Sequence, residues 1–466
     1  LDNTQELGHA PVGKLLWKYF VPAIIGVLAN TLYNLVDRVY IGRGVGALAL
    51  SGLAVTFPIM IIAMAFGMLV GMGSASLVSI RLGERNRAEA EKILGHAFVL
   101  LAGISLAITG LGLLLRDVVL ALFGAGPETL GYARDYITII LLGNVFQGTG
   151  FGLNNLIRAQ GHARTAMTTM ILGALMNIVL DPIFIFVFKM GVAGAALATV
   201  ISMAATSLWV LAHFTGRRSL LRLRRRNFRL QGRIVRGILA IGMAPFAMQL
   251  AGSVIHALFN IQLIRYGGDL AVGAMGIING AGMMIIFCVI AINMAAQPII
   301  GFNYGARQFR RVKETLKIAL IAATSITTTG FLAVQMFPGA IIGLFNRSDP
   351  RLLEIGVRGM RLLLAAFPVV GFQVVSSNFF QAIGKARTSM LLNLLRQVIL
   401  LIPLVLLLPL VLKIDGVWLA GPVADITAAS ITAVAIKREV ERLNGRERQR
   451  AEIPEPEGLG LDSRHW

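Results

Sequence analysis

Apolar residues fill this chain in long blocks, at roughly 14–42, 51–80, 93–115, 132–157, 166–188 and 192–215. A second set falls near 237–264, 271–300, 315–338, 358–381, 389–412 and 416–436. Each block supplies the about 20 apolar residues that a helix needs to cross hydrocarbon. Lipid offers no hydrogen-bond partners, so a spanning backbone must be helical or a closed barrel. No ten-residue segments of period-2 alternation point to a barrel. The pattern predicts an all-α polytopic membrane protein with twelve transmembrane helices.

The two sets of blocks are one pattern written twice. Sliding the chain on itself by 222 residues places Leu28-Ala29 on Leu250-Ala251, Arg43 on Arg265, Gly46 on Gly268 and Leu48-Ala49 on Leu270-Ala271. The register continues through Met72 and Met294, Gly83 and Gly305, Leu94 and Leu316, Ala97 and Ala319. One residue of slippage then aligns Gly161-His-Ala-Arg-Thr with Gly384-Lys-Ala-Arg-Thr. Such self-similarity marks internal repetition. Six helices are an even number, so both halves insert in the same direction. The pseudo-two-fold axis then runs along the membrane normal, with substrate bound between two rocking lobes. The expected organisation is a polar N-terminal segment 1–13, an N-lobe 14–216, a basic linker 217–236, a C-lobe 237–437 and a charged, disordered tail 438–466. Segment 1–13 lacks the apolar core of a signal peptide.

A net charge of +20 invites a nucleic-acid reading, but its distribution answers otherwise. About 31 of the 43 Lys and Arg fall on one side of the predicted helices, about 10 on the other, and Arg38 and Arg396 within them. That asymmetry is what the positive-inside rule gives for a cytoplasmic face. Both termini and the loops around Gly83, Gly161, Arg217, Gly305 and Gly384 are therefore expected inside. The expected location is a bacterial or archaeal inner membrane. No basic surface carries the interleaved aromatics of a nucleic-acid site. The linker 217–236 reads as an anchor on anionic lipid. Cys288 is the single cysteine, which excludes disulfides and a cysteine zinc site.

Acidic residues lie almost wholly in loops and tails, so the exceptions carry information. Asp37, Asp181 and Asp425 sit well within apolar blocks. An ionisable group at helix centre costs about 2.5–3.5 kcal/mol on insertion scales and marks a functional site by default. On predicted helix 1, Asn30, Tyr33, Asn34, Asp37 and Tyr40 form a polar stripe at helical spacing, and Pro22 makes the helix easy to kink. On predicted helix 5, Asn177 precedes Asp181 by one turn, and Pro182 frees a carbonyl beside them. Together these groups offer hard oxygen ligands of the kind a sodium ion or proton site uses. Single polar residues of this sort more often serve as glue between helices, worth about 1 kcal/mol. Asp425 has Arg396 as its nearest candidate partner, a structural pairing. Arg38 turns away from Asp37, since consecutive helix residues do not face each other.

With these residues in place, the sequence resembles the multidrug and toxic compound extrusion (MATE) family, in its DinF- and MepA-like prokaryotic branches. The resemblance spans about 14–437. It is carried by Asn177-Ile-Val-Leu-Asp-Pro-Ile-Phe-Ile-Phe with Gly191-Val-Ala-Gly-Ala-Ala-Leu-Ala-Thr199, by Asn154-Asn-Leu-Ile-Arg-Ala-Gln-Gly161, and by Arg81-Leu-Gly-Glu. It implies an exporter of organic, cationic multidrug compounds, driven by a proton or sodium gradient without any other cofactor. It also implies an N-lobe ion site built from Asp37, Asn177 and Asp181, completed by Asn154 or Asn155 and by Thr199, with Pro22 as the kink-forming proline. The NorM-like branch carries acidic residues on helices 7 and 10. Here those helices offer Gln249, His256, Asn260, Gln262, Gln373, Ser376, Ser377, Asn378 and Gln381 instead. His256, Asn260, Gln373 and Asn378 are then candidates for the polar lining of the cavity. The expected partners are a small organic substrate and membrane lipid, with the chain acting as a monomer.

Three other readings fit less well. A major-facilitator transporter also has two six-helix halves, but its basic motif is missing after helix 2. A lipid-linked oligosaccharide flippase would line the cavity with cations for pyrophosphate, and only Arg38 and Arg396 lie within helices. A membrane-embedded enzyme would need clustered catalytic groups, whereas His96, His162, His213 and His256 are scattered without metal-ligand spacing.

Overall fold

The computed structural model describes residues 3–216, 219–344 and 349–451, and these are helical with short connections. The N-lobe helices are α1 Val12–Gly44, α2 Ala47–Gly83, α3 Arg87–Leu114, α4 Pro127–Ala159, α5 Ala163–Val187 and α6 Gly191–Thr215. A run of 74 residues, Gly232–Gly305, follows. At a helical rise of about 1.5 Å per residue it would be roughly 110 Å long, over three times the hydrocarbon thickness. It is divided at Gly268, whose φ of 69° and ψ of −170° no helix contains. Residues on both sides, Ile255, Phe259 and Leu263 with Ala271, Met275 and Ile278, share one core, as in a hairpin. We therefore count α7 (232–267) and α8 (269–305). The C-lobe continues with α9 Phe309–Met336, α10 (Pro350–Leu363 and Phe367–Ala382, bent by 48°), α11 Ala386–Leu412 and α12 Ile414–Ala451. The expected twelve spans are present.

Backbone geometry repeats with the sequence. Gly46, which opens α2, has φ 115°, and its counterpart Gly268 opens α8 with φ 69°. Without a Cβ, glycine enters this region freely. Arg85 and Arg307, also 222 residues apart, have φ 60° and 56°.

The lobes meet where α2 crosses α8. A Cβ on Gly83 would lie 1.9 Å from the Phe302 carbonyl oxygen, and one on Gly305 would lie 2.0 Å from that of Ile80. These are symmetry-related contacts, because Ile80 corresponds to Phe302. Ser79 and its counterpart Gly301 touch each other, which puts them on the pseudo-two-fold axis. The seal extends through the Gln297 Nε2–Ser76 Oγ hydrogen bond of 2.8 Å to the tilted Phe66–Phe246 pair at mid-depth. All these contacts lie in the half of the molecule that carries both described chain ends, here called the terminal face. Toward the opposite face, positions 46 and 268 have nothing within 4 Å of an added Cβ.

Two departures from the sequence reading stand out. The tail expected to be disordered from 438 is instead helical through Ala451. Leu443 is fully buried, Lys385 pairs with Glu439, and Lys313 pairs with Glu447 at 2.5 Å. Residues 452–466 lie outside the described residues, as do 217–218 of the linker. The linker is shorter than expected, since α7 begins at Gly232.

Candidate functional site

Helix geometry brings the N-lobe candidates to one depth. Counting about 1.5 Å per residue, Asp37, Asp181 and Thr199 lie about 9–12 Å from the ends of α1, α5 and α6 at the face opposite the termini. Asp181 is fully buried, and Asn177, Thr199 and Asp37 are nearly so. Asn177 Nδ2 donates to Asp181 Oδ1 at 3.3 Å and to Thr199 Oγ1 at 3.1 Å. The carboxyl groups of Asp37 and Asp181 face each other within hydrogen-bonding reach. Two ionised carboxylates repel at that range, so the contact calls for a proton or a metal cation between them.

The unmet groups have one polarity. Asp37 Oδ1, Asp181 Oδ2 and Asn177 Oδ1 are buried and have no hydrogen-bond partner. All three are acceptors, and hard oxygen donors of this kind suit a proton or an alkali cation. After Pro182 removes a backbone donor, α5 widens into a π-helical turn over Ile183–Val187, the kind of irregularity that recurs at functional sites.

Sequence reasoning missed Tyr136. It is buried on α4 and lies within electrostatic range of both carboxylates. Its signal was weak, since one tyrosine in an apolar block is ordinary. Tyr33 lies near the same pair, and Tyr40 packs edge-on against Phe186. Asn30 and Asn34 are exposed, with Asn34 Nδ2 bonded to the Asn30 carbonyl at 2.7 Å. Arg38 points its guanidinium over the Phe57 ring, 5.6 Å from the centroid. Pro22 is buried inside a helix that continues unbroken to Gly44.

The family is decided by comparison with known proteins. The MatE family model matches residues 22–183 and again 245–407, one match per lobe. The chain belongs to the MatE family. The multidrug export protein MepA of Staphylococcus aureus (strain N315) is 25% identical over 394 residues, covering 84% of this chain and 86% of that protein. MepA of Staphylococcus haemolyticus (strain JCSC1435) is 25% identical over 379 residues, covering 81% and 83%. The solved structure of the MATE multidrug transporter DinF-BH is 38% identical with a TM-score of 0.85, covering 91% of this chain and 95% of that one. An outward-facing multidrug resistance MATE transporter of the MOP superfamily reaches a TM-score of 0.89 at 26% identity, covering 95% and 99%. MATE proteins are multidrug efflux transporters, and the enzyme reading is set aside on that ground.

The MATE scaffold keeps some expected residues away from the aspartates. Asn154 lies about 40 Å along α4 from Pro127, at the terminal end, where its Nδ2 donates to the Ala166 carbonyl at 3.3 Å. Asn155 accepts from Arg158 and donates to the Phe151 carbonyl at 3.0 Å. Neither completes the Asp37–Asp181 site, because α4 crosses the whole span between Tyr136 and these two residues. In the C-lobe, His256 and Asn260 are exposed. Gln373 is 2% exposed and its amide is unpartnered, so it lies in the lobe interior rather than on an open wall. One turn on, the Ser377 backbone carbonyl accepts from Ser389 Oγ of α11 at 3.1 Å. Asn378 contacts the Asn293 carbonyl at 3.5 Å. Arg396 Nε donates to Asp425 Oδ1 at 2.5 Å, the structural pair expected.

Proposed function

We propose that this MATE transporter is a secondary antiporter that exports organic cations, coupled to entry of protons or sodium ions through the Asp37–Asp181 site. The observation that carries the reading is the buried pair of facing carboxyls, with Asn177 and Thr199 fixed beside it and three acceptor oxygens unmet. Ion occupancy neutralises the pair. The vacated, charged pair attracts a cationic drug and favours a different packing of α1. A ligand shifts such an equilibrium only by its differential affinity for the two states. An inward gradient supplies the work, since one elementary charge falling through 100 mV releases about 2.3 kcal/mol.

The remaining parts of the reading follow from charge and packing. The terminal face is the cytoplasmic face of an inner membrane, as the Lys and Arg asymmetry requires. The lobe seal then closes the cavity to the cytoplasm and opens it outward. The protein works as a monomer with no prosthetic group.

The test is transport in vesicles. Asp37→Asn and Asp181→Asn are each expected to abolish gradient-driven export while leaving insertion and folding intact. Wild-type rates in both variants and in the double variant would remove the N-lobe pair as the coupling site.

A further inference from the structure

Arg158 sits in the last turn of α4, where the lobes are sealed. Between the lobes is a small cavity of about 10 Å³ lined by Ser79 of α2, by Asn155 and Arg158 of α4, and by Met294, Gln297 and Pro298 of α8. Ser79 touches Gly301 on the pseudo-two-fold axis, and Gln297 makes the Ser76 bond of the seal. The Arg158 guanidinium is half-buried there and donates to Asn155 Oδ1. No carboxylate among the described residues lies within ion-pair distance of it. The acids nearest in sequence are otherwise engaged, Glu84 and Glu89 with Arg81, and Glu91 with Arg87 and Arg224. At the C-lobe position equivalent by the 223-residue register stands neutral Gln381. The seal thus carries one uncompensated positive charge close to its axis.

We propose that Arg158 is the cation barrier of the closed cytoplasmic gate, a residue that sets the tightness of coupling. The inference rests on the antiport reading above. The Asp37–Asp181 pair draws cations into a cavity that is open outward, and an antiporter loses its gradient if those cations slip through the seal uncoupled. Packing alone leaves the small polar cavity beside Ser79 and Gln297, about the least volume that admits a single water. A fixed guanidinium in a narrow polar passage repels protons and metal cations electrostatically, as charged constrictions do in selective pores. Arg158 touches neither substrate nor coupling ion in this role. It acts on the ion path.

The experiment is passive ion flux in proteoliposomes with no organic substrate present. A proton gradient or a sodium gradient is imposed, and its decay is followed for wild type, Arg158→Lys, Arg158→Gln and Asn155→Asp. Arg158→Lys keeps the charge and is expected to leak like wild type. Arg158→Gln is expected to leak about tenfold faster, the ratio that ~1.4 kcal/mol of lost barrier gives. Asn155→Asp retains the arginine but neutralises it in place, and is expected to leak as well, which covers the case in which Arg158→Gln does not fold. Wild-type leak rates in whichever of the two neutralised variants are monodisperse would overturn the proposal. Because no drug is present, this comparison stands apart from the coupling test. Failure of the antiport reading would show instead as wild-type vesicles in which drug evokes no ion flux.

Discussion

Asn177 is the residue that ties the proposed ion site together, because its one amide nitrogen reaches both Asp181 and Thr199. Replacing it with alanine leaves the carboxyl pair but removes the donor that fixes Asp181. Export driven by a gradient is expected to fall at least about tenfold, the ratio for ~1.4 kcal/mol of lost interaction, within the range of a buried charge-assisted bond. Asn154→Ala is expected to export within about twofold of wild type, since its amide serves only the α4–α5 contact near the terminal face. Vesicle transport assays of the two variants at matched expression separate these outcomes, and equal loss in both would return Asn154 to the site. Asp37, Asn177 and Asp181 were legible because charge in an apolar block is costly and a one-turn spacing defines a face, whereas Thr199 was reached only through the family resemblance. The helix 4 assignment failed for a different reason. The paired asparagines of Asn154-Asn155 carry the strongest family pattern on α4, yet depth within the membrane depends on where the helix begins. On that scale Tyr136 is the α4 residue near the site. A second residue-scale outcome concerns Arg396 and Asp425. Removing either alone leaves a charge in a largely apolar setting and is expected to cost about 3–5 kcal/mol, whereas removing both costs less. A double-mutant cycle on thermal stability reads the coupling directly, and additive losses would mean that the pair contributes nothing as a pair.

At the scale of elements, the α2–α8 crossing is built from glycines so that backbone can meet backbone. Gly83 and Gly305 each have a carbonyl of the facing helix about where a Cβ would be. A side chain at either position cannot be accommodated by rotamer changes, because the obstacle is backbone on both sides. Gly83→Val is therefore expected to open the seal and shift the population toward the cytoplasm-facing state. Ser76→Cys, made in a Cys288→Ala background, reports that shift through its rate of reaction with an impermeant thiol reagent at the cytoplasmic face. The rate is expected to rise about tenfold, as a population shift of ~1.4 kcal/mol gives. An unchanged rate in a folded variant would mean that the crossing does not control the gate. The duplicated register had already paired these two glycines, so the symmetry of the gate was legible before its closeness. The fate of the tail was legible too, in a feature that composition obscures. Ile436, Val440 and Leu443 follow helical spacing, and Leu443 is buried against the C-lobe core while Glu439 and Glu447 find lysines. Charge density suggested disorder only because its pairing across helices is not visible along the chain.

For the whole molecule, the decisive asymmetry is that the close glycine contacts between the lobes gather toward one face, while α1 belongs to both lobes. Its first turns, with Leu15, Leu16 and Tyr19, lie in the core formed by Ile292, Ile299, Val312 and Leu316 of the C-lobe. The preceding segment is held there as well, with Asn303 and Arg311 donating to the Leu7 carbonyl at 2.9 and 3.1 Å, and Arg311 to that of Ala10 at 2.7 Å. Beyond Pro22, α1 packs instead on α5 of the N-lobe, where Gly26 meets Met170 and Gly44 meets Ile185 and Phe186. The rocking proposed for the lobes would therefore bend α1 between these two anchorages, and Pro22 lies between them with one backbone hydrogen bond already missing. The direction of that motion depends on which face is cytoplasmic. Basic residues cluster on the sealed face in the linker around Arg225 and in Arg307, Arg310 and Arg311, and the positive-inside rule assigns that face to the cytoplasm. In a Cys288→Ala background, Arg225→Cys is expected to resist an impermeant maleimide in intact cells and to react once the membrane is permeabilised. Lys189→Cys, in the α5–α6 connection on the open face, is expected to react in intact cells. The reverse pattern would turn the molecule over, place the ion site near the cytoplasm, and make the captured state inward-open.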